Sequence, residues 1–148
     1  MAKISIFVGT VYGGALMTAR AIKQALAPAH QVTVYEQPTL EDLQRDDSAI
    51  LVCTSTTGLG ELPGNLVPLW AAMRDTLPQF PGRPFGIIVL GDSSYQTSFC
   101  GAGDLMEEAL YELACQKIGD TLRIDAMETL EPEAEAVPWA SEWASNLA

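Results

Sequence analysis

Three polar, glycine-rich stretches hold the groups that can do chemistry. The first is Gly9-Thr10-Val11-Tyr12-Gly13-Gly14-Ala15, set between an apolar run at 4–8 and a helical pattern at 15–26. The first N–H groups of a helix have no internal partner and carry roughly half a positive charge. A strand, a Gly-rich turn and a helix in that order therefore suit an anion such as phosphate. Gly13 and Gly14 admit close backbone approach, and Thr10 and Tyr12 offer hydroxyl donors. A βα turn that merely uses glycine has the same pattern. The stretch has neither the Gly-Lys-Ser/Thr of a P-loop nor the third glycine of a dinucleotide fingerprint. The second stretch, Thr54-Ser55-Thr56-Thr57-Gly58-Leu59-Gly60-Glu61-Leu62-Pro63-Gly64-Asn65, opens on four hydroxyl residues. It reads equally well as a polar ligand loop or as a solvated one. The third, Gly91-Asp92-Ser93-Ser94-Tyr95-Gln96-Thr97-Ser98-Phe99-Cys100-Gly101-Ala102, sets an aromatic among Ser and Asp. Tyr95 can stack on a planar ring while Ser and Asp bond its edge.

A frame must bring these stretches together. Apolar runs at 3–8, 31–35, 49–54, 84–90 and 120–124 alternate with helical patterns. The first, third and fourth are Ile/Val/Leu-rich with little alternation, as parallel strands covered on both faces are. The second and fifth are less apolar and are expected at sheet edges. Helices are predicted at 15–26, where Leu16, Ala19, Ile22, Lys23 and Leu26 share a spacing, and at 66–77, 103–117 and 134–147. A short helix is predicted within 38–47, started by Thr39 and Asp42 as a capping box with Asp in place of Glu. Glu128, Glu131, Glu133 and Glu135 cap and solvate the start of the last helix. The pattern is that of a doubly wound α/β domain spanning 1–148, with a parallel sheet and right-handed crossovers. Such sheets bind ligands beyond the C-terminal strand ends, at the switch point. All three stretches fall there.

Composition narrows the classes further. At 148 residues and 48% apolar content, the chain can bury a sizeable core. A net charge of −11 argues against nucleic acid or an anionic membrane as a partner. It favours a basic partner surface, and serves solubility equally well. Cys53, Cys100, Cys115 and the single His30 make no Cys-x-x-Cys motif and no zinc set. Buried free thiols in a reducing cytoplasm are expected. No apolar segment approaches the ~18 residues of a membrane span. The start of the chain, with one Lys and no small-residue cleavage site, predicts no signal peptide.

On these residues the chain resembles the short-chain flavodoxins, in order and over essentially its whole length. Gly91-Asp92-Ser93-Ser94-Tyr95 with Phe99-Cys100-Gly101-Ala102 is the most specific match. It is similar to the isoalloxazine-binding loop of flavodoxins and of flavodoxin-like domains in diflavin reductases. Ser55-Thr56-Thr57-Gly58 with Gly60, Glu61 and Pro63 resembles the middle flavin loop, and Thr10 to Ala15 occupy the phosphate-loop position. The loop that splits the fifth strand of long-chain members is not expected. Residues 122–126 and 129–134 resemble the bacterial YqcA-type flavodoxins, with the MioC-type proteins as near relatives. The resemblance implies a flavodoxin-like five-stranded sheet of order 2-1-3-4-5 with helices on both faces. It implies FMN as cofactor, with no metal and no catalytic residue. The implied cofactor site comprises Thr10, Val11, Tyr12, Gly13, Gly14, Ala15, Ser55, Thr56, Thr57, Gly58, Leu59, Gly60, Gly91, Asp92, Ser93, Tyr95, Phe99, Cys100 and Gly101. It further implies a monomeric, cytoplasmic, low-potential one-electron carrier rather than an enzyme. Electrons would come from an NAD(P)H-dependent flavodoxin reductase and go to a redox enzyme.

The phosphate loop departs from the family. It usually reads Thr/Ser-x-Thr-Gly-Asn-Thr, whereas Tyr12, Gly14 and Ala15 stand here for the second hydroxyl residue, the Asn and the last Thr. Each lost bond to a charged group costs ~1.5–3 kcal/mol, one to two decades of affinity. Weak FMN binding, with apo-protein after purification, is expected. Thr57 stands where many flavodoxins place Trp, so Leu59 is expected against one ring face and Tyr95 against the other. The resemblance also implies that the Gly58 carbonyl turns toward the flavin N5–H on one-electron reduction. Glu61 and Asp92 would then disfavour added negative charge. Three alternatives stand beside this reading. A flavodoxin-fold NAD(P)H-dependent quinone or FMN reductase needs a substrate pocket, and no insertion supplies one. A phosphoacceptor receiver needs acids where Gly9-Thr10 and Cys53-Thr54 stand. A weakly FMN-binding protein acting through protein contacts fits the altered phosphate loop.

Overall fold

The two most continuous apolar runs become the innermost strands. In the computed structural model, which describes residues 2–57, 60–91, 100–126 and 128–147, β1 (Lys3–Gly9) is buried at every position but its first. β3 (Ala49–Ser55) is buried at every position but its last. Strands this apolar must be covered on both faces. β1 pairs in parallel with β2 (Gln31–Tyr35) on one side and β3 on the other, and β3 pairs with β4 (Pro84–Gly91). With the fifth position beyond β4, the order is 2-1-3-4-5.

That fifth position differs from expectation. A single strand at 120–124 was predicted, but two pieces, β5 (Gln116–Lys117) and β6 (Leu122–Asp125), pair with β4 in turn. Lys117 sits beside Phe85 and Leu122 beside Ile88. Five steps on the edge thus span three on β4, a surplus of two residues turned at Gly119, φ 74°. The interruption is short, unlike a long-chain insertion. The fourth helix is corrected too. α4 (Gly101–Glu112) stops well before Lys117 because Ala114 adopts φ 66° and the chain turns back into β5. The N–H groups of Phe80 and Gly82 take the carbonyls of Leu113 and Ala114 there, at 2.8 and 3.0 Å. Cys115, expected in the helix, therefore leads into the strand.

Helices cover both faces. α1 (Gly14–Leu26) and α5 (Pro132–Ser145) pack over Ile4, Ile6, Val8, Leu51, Cys53, Ile88 and Ile124. α2 (Leu40–Gln44), α3 (Val67–Thr76) and α4 lie over Phe7, Val52, Phe85, Ile87 and Val89. The Thr39–Asp42 capping box forms as read. Lys23 shares the apolar spacing of α1 yet points to water. Glu133 and Glu135 occupy the first turn of α5, but Glu131, at its N-cap, makes no side-chain cap bond. Cys53, Cys100 and Cys115 are free and buried. Burial pushes the Cys53 thiol up to about 12 and the other two to about 11, so all three are protonated and inert at neutral pH.

Candidate functional site

The parallel register of β1 and β3 sets Val8 beside Cys53 and Gly9 beside Thr54, so the first two loops leave the sheet together. Gly9 is needed at that exit, because a Cβ there would stand 2.2 Å from the Thr54 Oγ1. The chain then folds tightly: the Gly13 N–H donates to Thr10 Oγ1 at 2.8 Å, and Gly13, at φ 90°, is the N-cap of α1. No carboxylate occupies the first turn of α1. Among the described residues the N–H groups of Val11, Tyr12, Gly14 and Ala15 have no acceptor. Ala15 is fully buried and offers its N–H alone, while Tyr12 is 99% exposed.

One residue that holds this loop was not singled out from the sequence. Asn65 accepts the Thr10 N–H at 2.8 Å and donates to the carbonyls of Val8 at 2.7 Å and Glu36 at 2.9 Å. It ties the end of β1 to the segment after β2 and to the second loop. The Thr10 N–H is thereby spent on Asn65. The Thr10 hydroxyl, which accepts from Gly13, keeps its proton to donate.

The second loop closes on itself. The Thr57 N–H donates to the Glu61 carbonyl at 2.9 Å, the Glu61 N–H returns to Thr57 at 2.8 Å, and Gly60 turns the chain at φ 88°. The Ser55 hydroxyl donates to the Gly9 carbonyl at 3.4 Å, a second tie between the loops. Thr56 Oγ1 is buried with no partner among the described residues. Gly58 and Leu59 lie outside the described residues, as do Asp92, Ser93, Tyr95 and Phe99 of the third loop.

Both ends of that third loop are defined. The Gly91 carbonyl, ending β4, accepts the Ala126 N–H at 2.8 Å. Cys100 is the left-handed N-cap of α4 at φ 59°, its thiol turned inward to the Val89 carbonyl at 3.7 Å. It supplies a turn rather than a thiol facing a ligand. Desolvation raises that thiol's pKa and outweighs the opposing pull of the Arg123 guanidinium. Arg123 itself holds Asp104 at 2.8 Å. A Cβ on Gly101 would come within 2.9 Å of both the Cα and the carbonyl oxygen of Gly60. Backbone therefore lies on backbone where the second and third loops meet.

The three stretches thus converge through Thr10–Asn65, Gly9–Ser55 and Gly60–Gly101. Free helix-terminal N–H groups and an unpartnered buried hydroxyl, with no Lys or Arg in Thr10 to Ala15, fit a phosphate monoester held by neutral donors. A Cβ added at Gly13 or Gly14 would meet nothing within 4 Å, so that side of the loop is open. Among the described residues no His, Cys, Asp and Glu cluster could hold a metal, and no helix is long and apolar enough to cross a membrane.

Comparison with known proteins gives the same reading. The family model for flavodoxin matches residues 6–139. Flavodoxin YqcA of Escherichia coli (strain K12) is 45% identical, with 99% of each chain covered. Protein MioC of the same organism is 34% identical over 99% of each. A cysteine-to-alanine mutant of a flavodoxin from Pseudomonas aeruginosa superposes with a TM-score of 0.88 at 44% identity, over 97% of each chain. The chain belongs to the flavodoxin family, whose members bind FMN and carry electrons.

Proposed function

We propose that this protein is an FMN-dependent, low-potential one-electron carrier between an NAD(P)H-dependent flavodoxin reductase and a redox enzyme, working as a cytoplasmic monomer. The observation that carries this reading is the convergence of the three loops at the C-terminal ends of β1, β3 and β4. FMN, when bound, supplies the one-electron chemistry. The chain's own residues position it. The N–H groups at the start of α1 and the Thr10 hydroxyl take the phosphate, Asn65 keeps their loop in place, and Thr56 offers its spare hydroxyl. The turn closed by Thr57 and Glu61 meets the Gly101 end of the third loop at Gly60. Glu61 is exposed on that turn, where its charge opposes added negative charge.

Little positive charge is left for a partner to meet. Five of the eight Lys and Arg residues are engaged with Asp46, Glu36, Asp42, Glu107 and Asp104. Arg83 is buried, donating to the carbonyls of Ser48 and Leu43. The remaining surface is acidic and suits basic-surfaced donors and acceptors, so transfer rates should fall as ionic strength rises. Titration of the purified protein with FMN, followed by photoreduction, tests the proposal. Tight or weak saturable uptake with reversible one-electron reduction supports it, and absence of uptake refutes it. NADPH oxidation by the pure FMN-loaded protein would instead favour the quinone or FMN reductase reading.

A further inference from the structure

Four side chains leave large apolar surface in water around the starts of α1 and α5. Val11 is 52% exposed, Tyr12 99%, Met17 68% and Leu130 96%. α1 and α5 pack side by side on one sheet face, with Ala15, Ala19 and Ile22 in one core cluster with Ala136, Ala140 and Trp143. Both follow strands of the same parallel sheet, so both begin at the end where the three loops converge. Tyr12 stands two residues before the first residue of α1, and Leu130 two before that of α5. Helices packed this way have axes ~8–10 Å apart, so the two positions fall within one partner's footprint. Glu128, Glu131 and Glu135, just before and within the first turn of α5 on either side of Leu130 in the chain, are exposed, and among the described residues none of them is ion-paired.

An apolar patch bordered by carboxylates marks a contact surface. We propose that Tyr12, Met17 and Leu130 form the centre of the docking surface for a redox partner whose own contact face is apolar and ringed by Lys and Arg. This rests on the electron-carrier reading and adds the place of contact, at the phosphate end of the site. A second copy of this chain does not fit, because a two-fold interface here would bring two acidic rims together with no basic ring to meet either.

The test uses the FMN-loaded full chain and a purified NADPH-dependent flavodoxin reductase as probe. Affinity is read by calorimetric titration, with and without FMN, and electron transfer by stopped flow. Met17→Ser and Leu130→Ser, combined, should weaken the complex about tenfold. FMN affinity and the limiting transfer rate should stay unchanged. Glu131→Gln with Glu135→Gln should flatten the salt dependence. Unchanged affinity in the Met17/Leu130 variant overturns the docking assignment alone, as does a wild-type protein that the reductase does not bind. A dimer that Leu130→Ser disperses also overturns it. Failure to take up FMN refutes the carrier reading instead.

Discussion

Replacing Asn65 by Ala isolates what one side chain does for the phosphate loop. The change removes three bonds of 2.7–2.9 Å, to the Thr10 N–H and to the carbonyls of Val8 and Glu36. A typical intramolecular bond nets ~0.5–1.5 kcal/mol, so the loss of stability should be about 2–4 kcal/mol. Cofactor binding suffers separately. Thr10 to Gly13 would no longer be held in the bound form, and ordering a residue's backbone costs ~1–2 kcal/mol. If two residues' worth of order must be restored on binding, FMN affinity falls by about 2–4 kcal/mol, or roughly 30- to 1000-fold. Riboflavin, which lacks the phosphate, should bind wild type and variant within about threefold of each other. Fluorescence titration with both ligands, beside urea unfolding, reads all three quantities. Equal losses for FMN and riboflavin would mean general damage and refute the loop argument, and an unchanged FMN affinity would refute it outright. Asn65→Asp sharpens the comparison, since it keeps the acceptor for Thr10 but loses both donors and brings a charge toward the phosphate.

Gly14→Asn restores a side chain at an open position of the phosphate loop and should tighten FMN binding about tenfold or more in the same titration. The three thiols should be silent toward a disulfide reagent at pH 8 and all react once the protein is unfolded, because burial holds them at about 11 to 12. Asp46 gives a pH signature. The Ser48 hydroxyl foremost, with the Ser48 N–H and Lys3, holds its carboxyl down to about 2, below the range of an unfolded carboxylate. Its stabilising contribution is therefore full above about pH 4 and is lost as pH falls toward 2. Wild type should be more stable than Asp46→Asn at pH 7, with urea midpoints converging in acid.

Much of the frame was legible because parallel strands write themselves as unbroken apolar runs. Residues 31–35 were read with the bounds that β2 has, and β1, β3 and β4 differ by a residue. The end of α4 was not legible. Leu113 and Cys115 continue an apolar spacing, and a helix and a strand edge bury such residues alike; only Ala114 at φ 66° decides. The fifth strand lies where its apolar residues place it, at β6, but the piece before it was not legible, for a related reason. That piece is two polar residues, Gln116 and Lys117, that pair through backbone alone. The three loops announced themselves through Gly, Ser and Thr content and the resemblance it carries. Asn65 did not, since its partners lie 29, 55 and 57 residues away and no local pattern encodes such a bond. The Gly60–Gly101 contact was equally silent, being made between backbones.

The surplus in the fifth strand has a consequence for how this edge can change length. Side chains alternate between faces with a period of two, so an even surplus keeps phase across the interruption. Lys117 and Arg123 both fall on the α4 face, reaching Glu107 and Asp104, while Ile118 and Ile124 both fall on the α1–α5 face. Deleting one residue between Lys117 and Leu122 would leave an odd surplus, so that either a one-residue bulge absorbs it or Ile124 and Arg123 exchange faces. Deleting two would leave every later side chain facing as it does now. Insertions and deletions at this edge should therefore be tolerated best in pairs.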